Sequence, residues 1–315
     1  MTTNTQNLST GTSTARRVAV RAVPKRRKSE VGLLSVLGQI ALLVWALIIL
    51  GPILWTLLAS FKNNTEIFGS AWSLPTTLRW ANYSRAWSQA HVGTYFINSV
   101  IVVALSTFGT MLFGSMAAYV LARYKFIGNR TIYYFFIAGL AFPVFLALSP
   151  LFFVVKQTGT LPLVGQFIGL NTRGGLILVY IAYSLPFTVF FMAAFFKTLP
   201  TSVAEAAVID GASHTMLFFR VMLPMARSGL VSIGIFNIVG QWAQYNIPVV
   251  LMSDTTDKSK WVLTQGIADI SVQAGYHSDW PALFAALILS ILPMIAIYAV
   301  FQRQIQSGLT AGAVK

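Results

Sequence analysis

The chain has 315 residues, of which 56% are hydrophobic and 10% charged, with a mean hydropathy of +0.70 and a net charge of +14. Such usage lies far outside that of soluble domains and places the chain in lipid. The lack of cysteine excludes disulfides, thiolate metal centres and cysteine nucleophiles, and the basic cluster Arg21–Lys28, directly before an apolar run, suits an anionic membrane surface and argues against nucleic acid.

Residues 1–30 begin with a Ser-, Thr- and Asn-rich stretch without charge that cannot bury a core, and read as a disordered basic tail. The apolar run that follows is too long for a signal peptide and shows no clear cleavage site, so it is expected to remain as an anchor. Six windows free of charge stand at 31–61, 92–122, 131–155, 174–196, 228–253 and 280–302. About 20 residues cross a bilayer as a helix. Barrel strands would be about 10 residues long with alternating polarity, so the windows predict six transmembrane helices and an all-α membrane protein. Fifteen of the 22 Lys and Arg residues fall on one side if the N-terminus is cytoplasmic. That bias sets the orientation with both termini inside, the 197–227 loop inside, and residues 303–315 as a cytoplasmic tail.

Prolines 143, 150, 186, 248 and 293 fall in the third to sixth windows and are expected to kink or interrupt them. Leu161–Leu170 is too short to span and is expected on the outer interface. The outer loop 254–279 is long enough to touch an external partner. In the fifth window Asn237, Gln241 and Gln244 recur at i, i+4 and i+7 beside Trp242, Tyr245 and Asn246. Amides in hydrocarbon need partners. This face therefore either lines a watered passage for a hydroxyl-rich solute, with Asn237, Gln241, Gln244 and Tyr245 as lining, or bonds neighbouring helices. Asn98, Ser99, Ser106, Tyr180, Tyr183 and Ser184 are weaker candidates for the same role.

Ser202–Pro224 is the long polar-helical island between two spans. Ser202 and Glu205 have capping-box spacing, Asp210-Gly211 is a stop, and Ser213 can cap a second helix. Leu217, Phe218, Val221 and Met222 form one apolar stripe that Pro224 ends or kinks. Ala206, Ala207, Gly211 and Ala212 leave room for another backbone, with Glu205 and Asp210 available as charges. The element is either a docking site for a cytosolic partner or an interfacial loop packed on its own helices.

Intrinsic catalysis finds little support. There is no Gly-Lys pair and so no phosphate-binding loop, His91, His214 and His277 are scattered, and no ionisable residue lies in any window. A secondary transporter would require such a residue at mid-membrane for ion coupling.

Glu205-Ala206-Ala207, Asp210-Gly211-Ala212, Phe218 and Leu223-Pro224 together resemble the EAA loop of ABC-importer permeases. Gly308-Leu309-Thr310-Ala311-Gly312-Ala313-Val314-Lys315 resembles the end of maltose-type carbohydrate permeases, the "G" partner of the pair. The resemblance covers roughly residues 30–315 and implies a type I importer permease fold, with a first helix (31–61) that wraps the partner and a core over 92–302. It implies a bacterial or archaeal cytoplasmic membrane, a second homologous permease, two cytosolic ATPase subunits and an extracellular sugar-binding protein. By the family pattern the EAA loop docks in an ATPase cleft with Glu205 meeting a basic residue. Gly308, Thr310, Gly312 and Lys315 lie at the ATPase interface, and the region near Asp254–Trp261 reaches the binding protein. No cofactor or metal is expected in this chain, ATP and Mg belonging to the partner subunits. Arg123 and Arg173 flank spans without forming a phosphate clamp, so a neutral di- or oligosaccharide is preferred over the cargo of a glycerol-phosphate-type importer, which shares these motifs.

Overall fold

The computed structural model describes residues 33–277 and 279–311; the expected tail over 1–30, together with Gly312 and Lys315, lies outside them. Every regular element among the described residues is helical. The chain divides after Gly51 into two units. What is described of the first is the start of helix α1 (Leu33–Ala59), whose Leu42, Leu43 and Leu47 are exposed, as suits a lipid-facing span.

The second unit opens with the end of α1 and a closed surface segment. Asn63 and Glu66 cap helix α2 (Asn64–Gly69) reciprocally, each side chain accepting from the other's backbone N–H, at 2.8 and 2.9 Å. The Thr76 hydroxyl also donates to Glu66 and holds its carboxyl below the ordinary carboxylate range. Lys62 is buried, its ammonium donating to the carbonyls of Ser70 and Ala71 at 3.2 and 3.0 Å. A buried cation without such acceptors would be costly.

Helix α3 (Val92–Arg123) is the axis of this unit and packs along most of its length on α6 (Arg173–Thr198). Small residues make the approach possible. A Cβ on Gly109 would stand 2.6 Å from Ile181 Cδ1, and one on Gly114 would stand 2.6 Å from Thr188 Cγ2. Between lipid-embedded helices packing replaces the hydrophobic effect as the driving force, and small residues admit it.

The third window is two helices. Phe142, preceding a proline, is held extended, Pro143 offers no N–H, and α4 (Asn129–Ala141) and α5 (Val144–Thr158) meet at 107°. The fifth window is also broken. Helix α9 (Arg227–Trp242) ends before α10 (Asn246–Leu251) begins. Pro248 cannot donate to the carbonyl of Gln244, and the Thr264 hydroxyl takes that carbonyl at 2.8 Å instead. Pro150, Pro186 and Pro293 do not interrupt; each lies inside a continuous helix, the last in α12 (Trp280–Ala311). Among the described residues four helices are long and apolar enough to span, or up to six if each of two bent pairs counts as one span, Asn129–Ala141 with Val144–Thr158 and His214–Met225 with Arg227–Trp242. The expected outer loop 254–279 is largely a helix, α11 (Leu263–His277), packed on α3 and α12.

Two apolar clusters terminate the bundle. Trp242, Ile247, Trp261, Leu263 and Leu283 gather near the start of α3, and Tyr119, Phe196, Leu217, Phe218 and Met222 gather near its end. The α3–α6 seam generates a prediction. Gly114→Leu should lower the unfolding midpoint of the isolated chain in detergent by an amount equivalent to about 1–3 kcal/mol. Gly240→Ala, where an added methyl meets nothing within 4 Å, should leave the midpoint unchanged or raise it.

Candidate functional site

Pro200, fixed at φ −60° and extended in ψ, starts helix α7 (Thr201–Ile209) without any side-chain cap. Ser202 is thus already helical, and the expected capping box with Glu205 does not form. The stop at Asp210-Gly211 does form. Gly211 adopts φ +85°, its N–H reaches the carbonyl of Val208 at 3.0 Å, and the N–H of Ala212 reaches that of Ala207 at 2.9 Å. This pair of bonds is a Schellman closure, which requires a residue comfortable in the left-handed region at Gly211. Ser213 then caps α8 (His214–Met225), accepting from the Met216 N–H at 3.3 Å. A wider π-helical turn over Leu217–Met222 accommodates Pro224, so the helix passes through the proline and bends by 79° at Ala226.

The expected stripe faces inward. Leu217, Phe218 and Met222 are buried against Tyr119, Phe196 and Met192, with Ala204, Ala207, Val221 and Leu223 packed behind them. The opposite face of α7 is open: Glu205, Ala206 and Asp210 are exposed, and Ile209 is 85% exposed. Glu205 forms no ion pair among the described residues. It borders a groove of about 610 Å³ whose floor includes Tyr119, Ala122 and Leu217.

Three residues that the sequence pattern did not single out for this element hold it to α3. The Arg123 guanidinium donates to the carbonyls of Leu199 and Pro200 at 3.2 and 3.1 Å, at the root of α7. Tyr124 hydrogen-bonds His214 Nδ1 at 3.0 Å, with the two rings edge to face. Their only signal in the sequence is a basic and an aromatic residue ending a span.

The polar face of the fifth window resolves into two parts. Asn237 and Gln241 are buried. Gln241 Oε1 accepts from Ser106 and Thr107 of α3 at 2.6 and 3.0 Å, while its Nε2 donates to Ser184 of α6 at 2.9 Å. Asn237 donates to Thr188 at 2.9 Å and to the carbonyl of Ile233. These amides therefore join helices. Gln244 is half-buried and Tyr245 exposed, both in the break between α9 and α10. Of the weaker candidates, Ser106 and Ser184 belong to the Gln241 network, Tyr180 is buried and Tyr183 is exposed.

Asn98 and Ser99 serve the far end of α3. Asn98 donates to the carbonyls of Ser259 and Trp261, each at 2.8 Å, and Ser99 accepts from the Leu263 N–H at 2.8 Å. The 254–261 segment is further fixed by the Trp261 indole on the Asp254 carbonyl and by the Lys258–Asp269 ion pair at 2.8 Å. The Thr256 hydroxyl holds the Asp254 carboxyl below its ordinary range, and Ser259 does the same for Asp257. Gly308 and Thr310 continue the backbone of α12, while Gly312 and Lys315 lie outside the described residues. Ser232 of α9 donates to the Gln304 carbonyl at 2.8 Å, joining α9 to this end of α12. No cluster of His, Asp and Glu able to hold a metal occurs among the described residues.

Residues 110–310 match the family described as binding-protein-dependent transport system inner membrane component. The chain is 47% identical over 281 residues to the diacetylchitobiose uptake system permease protein NgcG of Streptomyces coelicolor, covering 89% of each. It is 30% identical to the trehalose/maltose transport system permease protein MalG of Thermococcus litoralis, covering 90% of this chain and 96% of that one. Its fold matches a chain of a bacterial ABC transporter involved in import of the acidic polysaccharide alginate, with a TM-score of 0.72 at 20% identity over 86% of this chain and 95% of that one.

The Gln241 network generates a second prediction. Gln241→Leu removes the partner of three hydroxyls, of which Ser106 can turn its one proton to the Val102 carbonyl, 2.6 Å away. The variant should lose about 1–3 kcal/mol in thermal unfolding, whereas Gln244→Leu should leave the midpoint in place.

Proposed function

The chain belongs to the family of binding-protein-dependent transport system inner membrane components, and from that premise we propose how its parts serve import. It is a multi-pass membrane permease subunit of an ABC importer, a transport component whose family works with ATPase subunits and a binding protein. The cargo we assign is a neutral di- or oligosaccharide of the kind named for the Streptomyces relative. The observation that carries this is 47% identity along 89% of the chain, supported by an interior whose buried polar groups within the spans are hydroxyls and amides.

In this reading α7 is the coupling helix. Glu205, Ala206, Ala207, Asp210, Gly211 and Ala212 form the knuckle that enters an ATPase cleft, Ile209 supplies apolar contact, and Phe218, Leu223 and Pro224 root it in the bundle. ATP and Mg belong to the partner ATPases, and this chain carries no cofactor and performs no hydrolysis. A second homologous permease completes a heterodimeric channel, and α1 lies against that partner. Both termini are cytoplasmic, and the C-terminal residues Gly308, Thr310, Gly312 and Lys315 meet the ATPase side. Gln244 and Tyr245, at the unwound break, are the residues of the fifth span placed to line the passage, since non-helical backbone at membrane depth is tolerated where it borders a cavity or protein. The 254–261 segment faces the binding protein.

Arg123, with the Tyr124–His214 pair, gives the knuckle a direct purchase on α3. Displacement of α7 then carries α3, and through Gln241 also α6 and α9. A secondary transporter would need no such knuckle.

Reconstitution with the partner permease, ATPases and binding protein should give ATP-dependent uptake of diacetylchitobiose or a related saccharide; absence of uptake across a saccharide panel would refute the cargo. Glu205→Lys should abolish that uptake, because breaking a buried interfacial charge pair costs on the order of 2–5 kcal/mol; normal coupled hydrolysis by the variant would count against docking through α7. Arg123→Ala combined with Tyr124→Phe should leave assembly intact and raise the ATP consumed per sugar severalfold, and an unchanged ratio would show that force reaches the spans by another route.

A further inference from the structure

At the end of the bundle opposite the coupling helix, the start of α3 and the 254–261 segment enclose a cleft of about 380 Å³. Its size lies within the range of small-molecule sites, roughly 300–1,000 Å³. The cleft is lined by His91, which opens α3, and Thr94 and Tyr95 within it, with Thr255, Thr256, Lys258 and Ser259 opposite, so that each lining residue carries a polar group. We propose that this cleft is a saccharide subsite at the outer mouth, which holds one or two rings of a neutral sugar before they enter the passage. The proposal rests on the importer reading and adds a place for the cargo outside the membrane.

Three observations select a neutral, hydroxyl-rich ligand. The one cation in the lining, Lys258, is neutralised by both oxygens of Asp269 at 2.8 Å and lies over the Trp261 ring. An anion therefore finds no open charge. Asp254 and Asp257 are not among the lining residues, and one oxygen of each accepts from the segment's own amides and, for Asp254, from the Thr256 hydroxyl. Among the described residues, the His91 ring and the hydroxyls of Thr94, Tyr95 and Thr255 make no hydrogen bond. These are groups able both to donate to and to accept from sugar hydroxyls.

The cleft is also built in advance. Asn98 and Ser99 clamp the 259–263 backbone to α3, and the buried Tyr95 ring, which lines the cleft, packs on the buried Trp261 ring at a centroid separation of 6.4 Å. His91 is held at φ +57°, an uncommon conformation for a residue with a side chain, and no side chain caps the helix turn that it opens. Rigid walls lower the ordering cost of binding, so a few hydrogen bonds suffice to hold a sugar there.

The test uses the assembled importer in nanodiscs without binding protein, with N,N′-diacetylchitobiose and maltose as probes in saturation-transfer NMR. Wild type should bind at least one of them in the millimolar range. Thr94→Val, which keeps shape and removes a hydroxyl outside the 254–261 segment, should weaken that binding about two- to fivefold. The same variant should slow uptake while binding-protein-stimulated ATP hydrolysis stays at the wild-type level. Should that variant fail to assemble, Tyr95→Phe carries the same expectation. Equal binding by wild type and variant, or no binding by wild type, overturns the subsite. Loss of stimulated hydrolysis with sugar binding intact also overturns it, and marks the cleft as a docking surface for the binding protein. A wild-type assembly that takes up no saccharide fails the importer reading instead, a result separate from the NMR comparison.

Discussion

The arrangement of this protein depends on a single buried amide. Gln241 stands where α3, α6 and α9 meet, accepting from Ser106 and Thr107 on one helix and donating to Ser184 on another. In hydrocarbon there is no water to replace these partners, so the geometry that satisfies the amide also fixes the mutual rotation of three helices. Asn237, one turn away, repeats the device toward Thr188. Each bond is modest in energy, and their value lies in selecting one register among several that apolar packing alone would leave nearly equal.

That register turns α3 into a rod with an attachment at each end. At one end Arg123 holds the carbonyls before α7 and Tyr124 meets His214. At the other end Asn98 and Ser99 hold the backbone of 259–263. Between them the close approach at Gly109 and Gly114 leaves little slack against α6. The sharp breaks fall elsewhere, at Phe142-Pro143, at Ala226 and after Trp242. Rigid and articulated parts are thus separated along the chain, which is what a body that moves as a unit against its neighbours requires.

Much of this was legible in the sequence, because lipid enforces a simple grammar. Long windows without charge had to be helices, and Asp210-Gly211 had to be a stop, since the left-handed turn is readily reached only by glycine. The inward stripe of Leu217, Phe218 and Met222 followed from spacing alone. What pattern could not decide was the destination of a polar side chain. Asn237, Gln241, Gln244 and Tyr245 share one stretch of sequence, yet two are buried between helices and two sit at a break. The break itself depends on Thr264, twenty residues away, taking the carbonyl that Pro248 leaves unpaired. Ser202 and Glu205 had the spacing of a capping box, but Pro200 began the helix earlier. Proline as a signal was ambiguous for a related reason: Pro143 breaks a span where Phe142 is extended, while Pro186 and Pro293 lie inside continuous helices.

The contrast between the two ends of α3 follows from what each must meet. The end carrying α7 presents an exposed isoleucine between carboxylates, a surface that gains by being covered by protein, since apolar burial and charge pairing both strengthen when water leaves. At the opposite end Lys258 is paired with Asp269, and the hydroxyls of Thr94, Tyr95 and Thr255 are unengaged among the described residues, a surface that stays hydrated until a ligand with comparable hydrogen-bonding groups replaces the water. On the proposed reading, a strong contact at the first end and a weak, reversible one at the second suit directional work on a sugar, in which force is held through a cycle and cargo is let go.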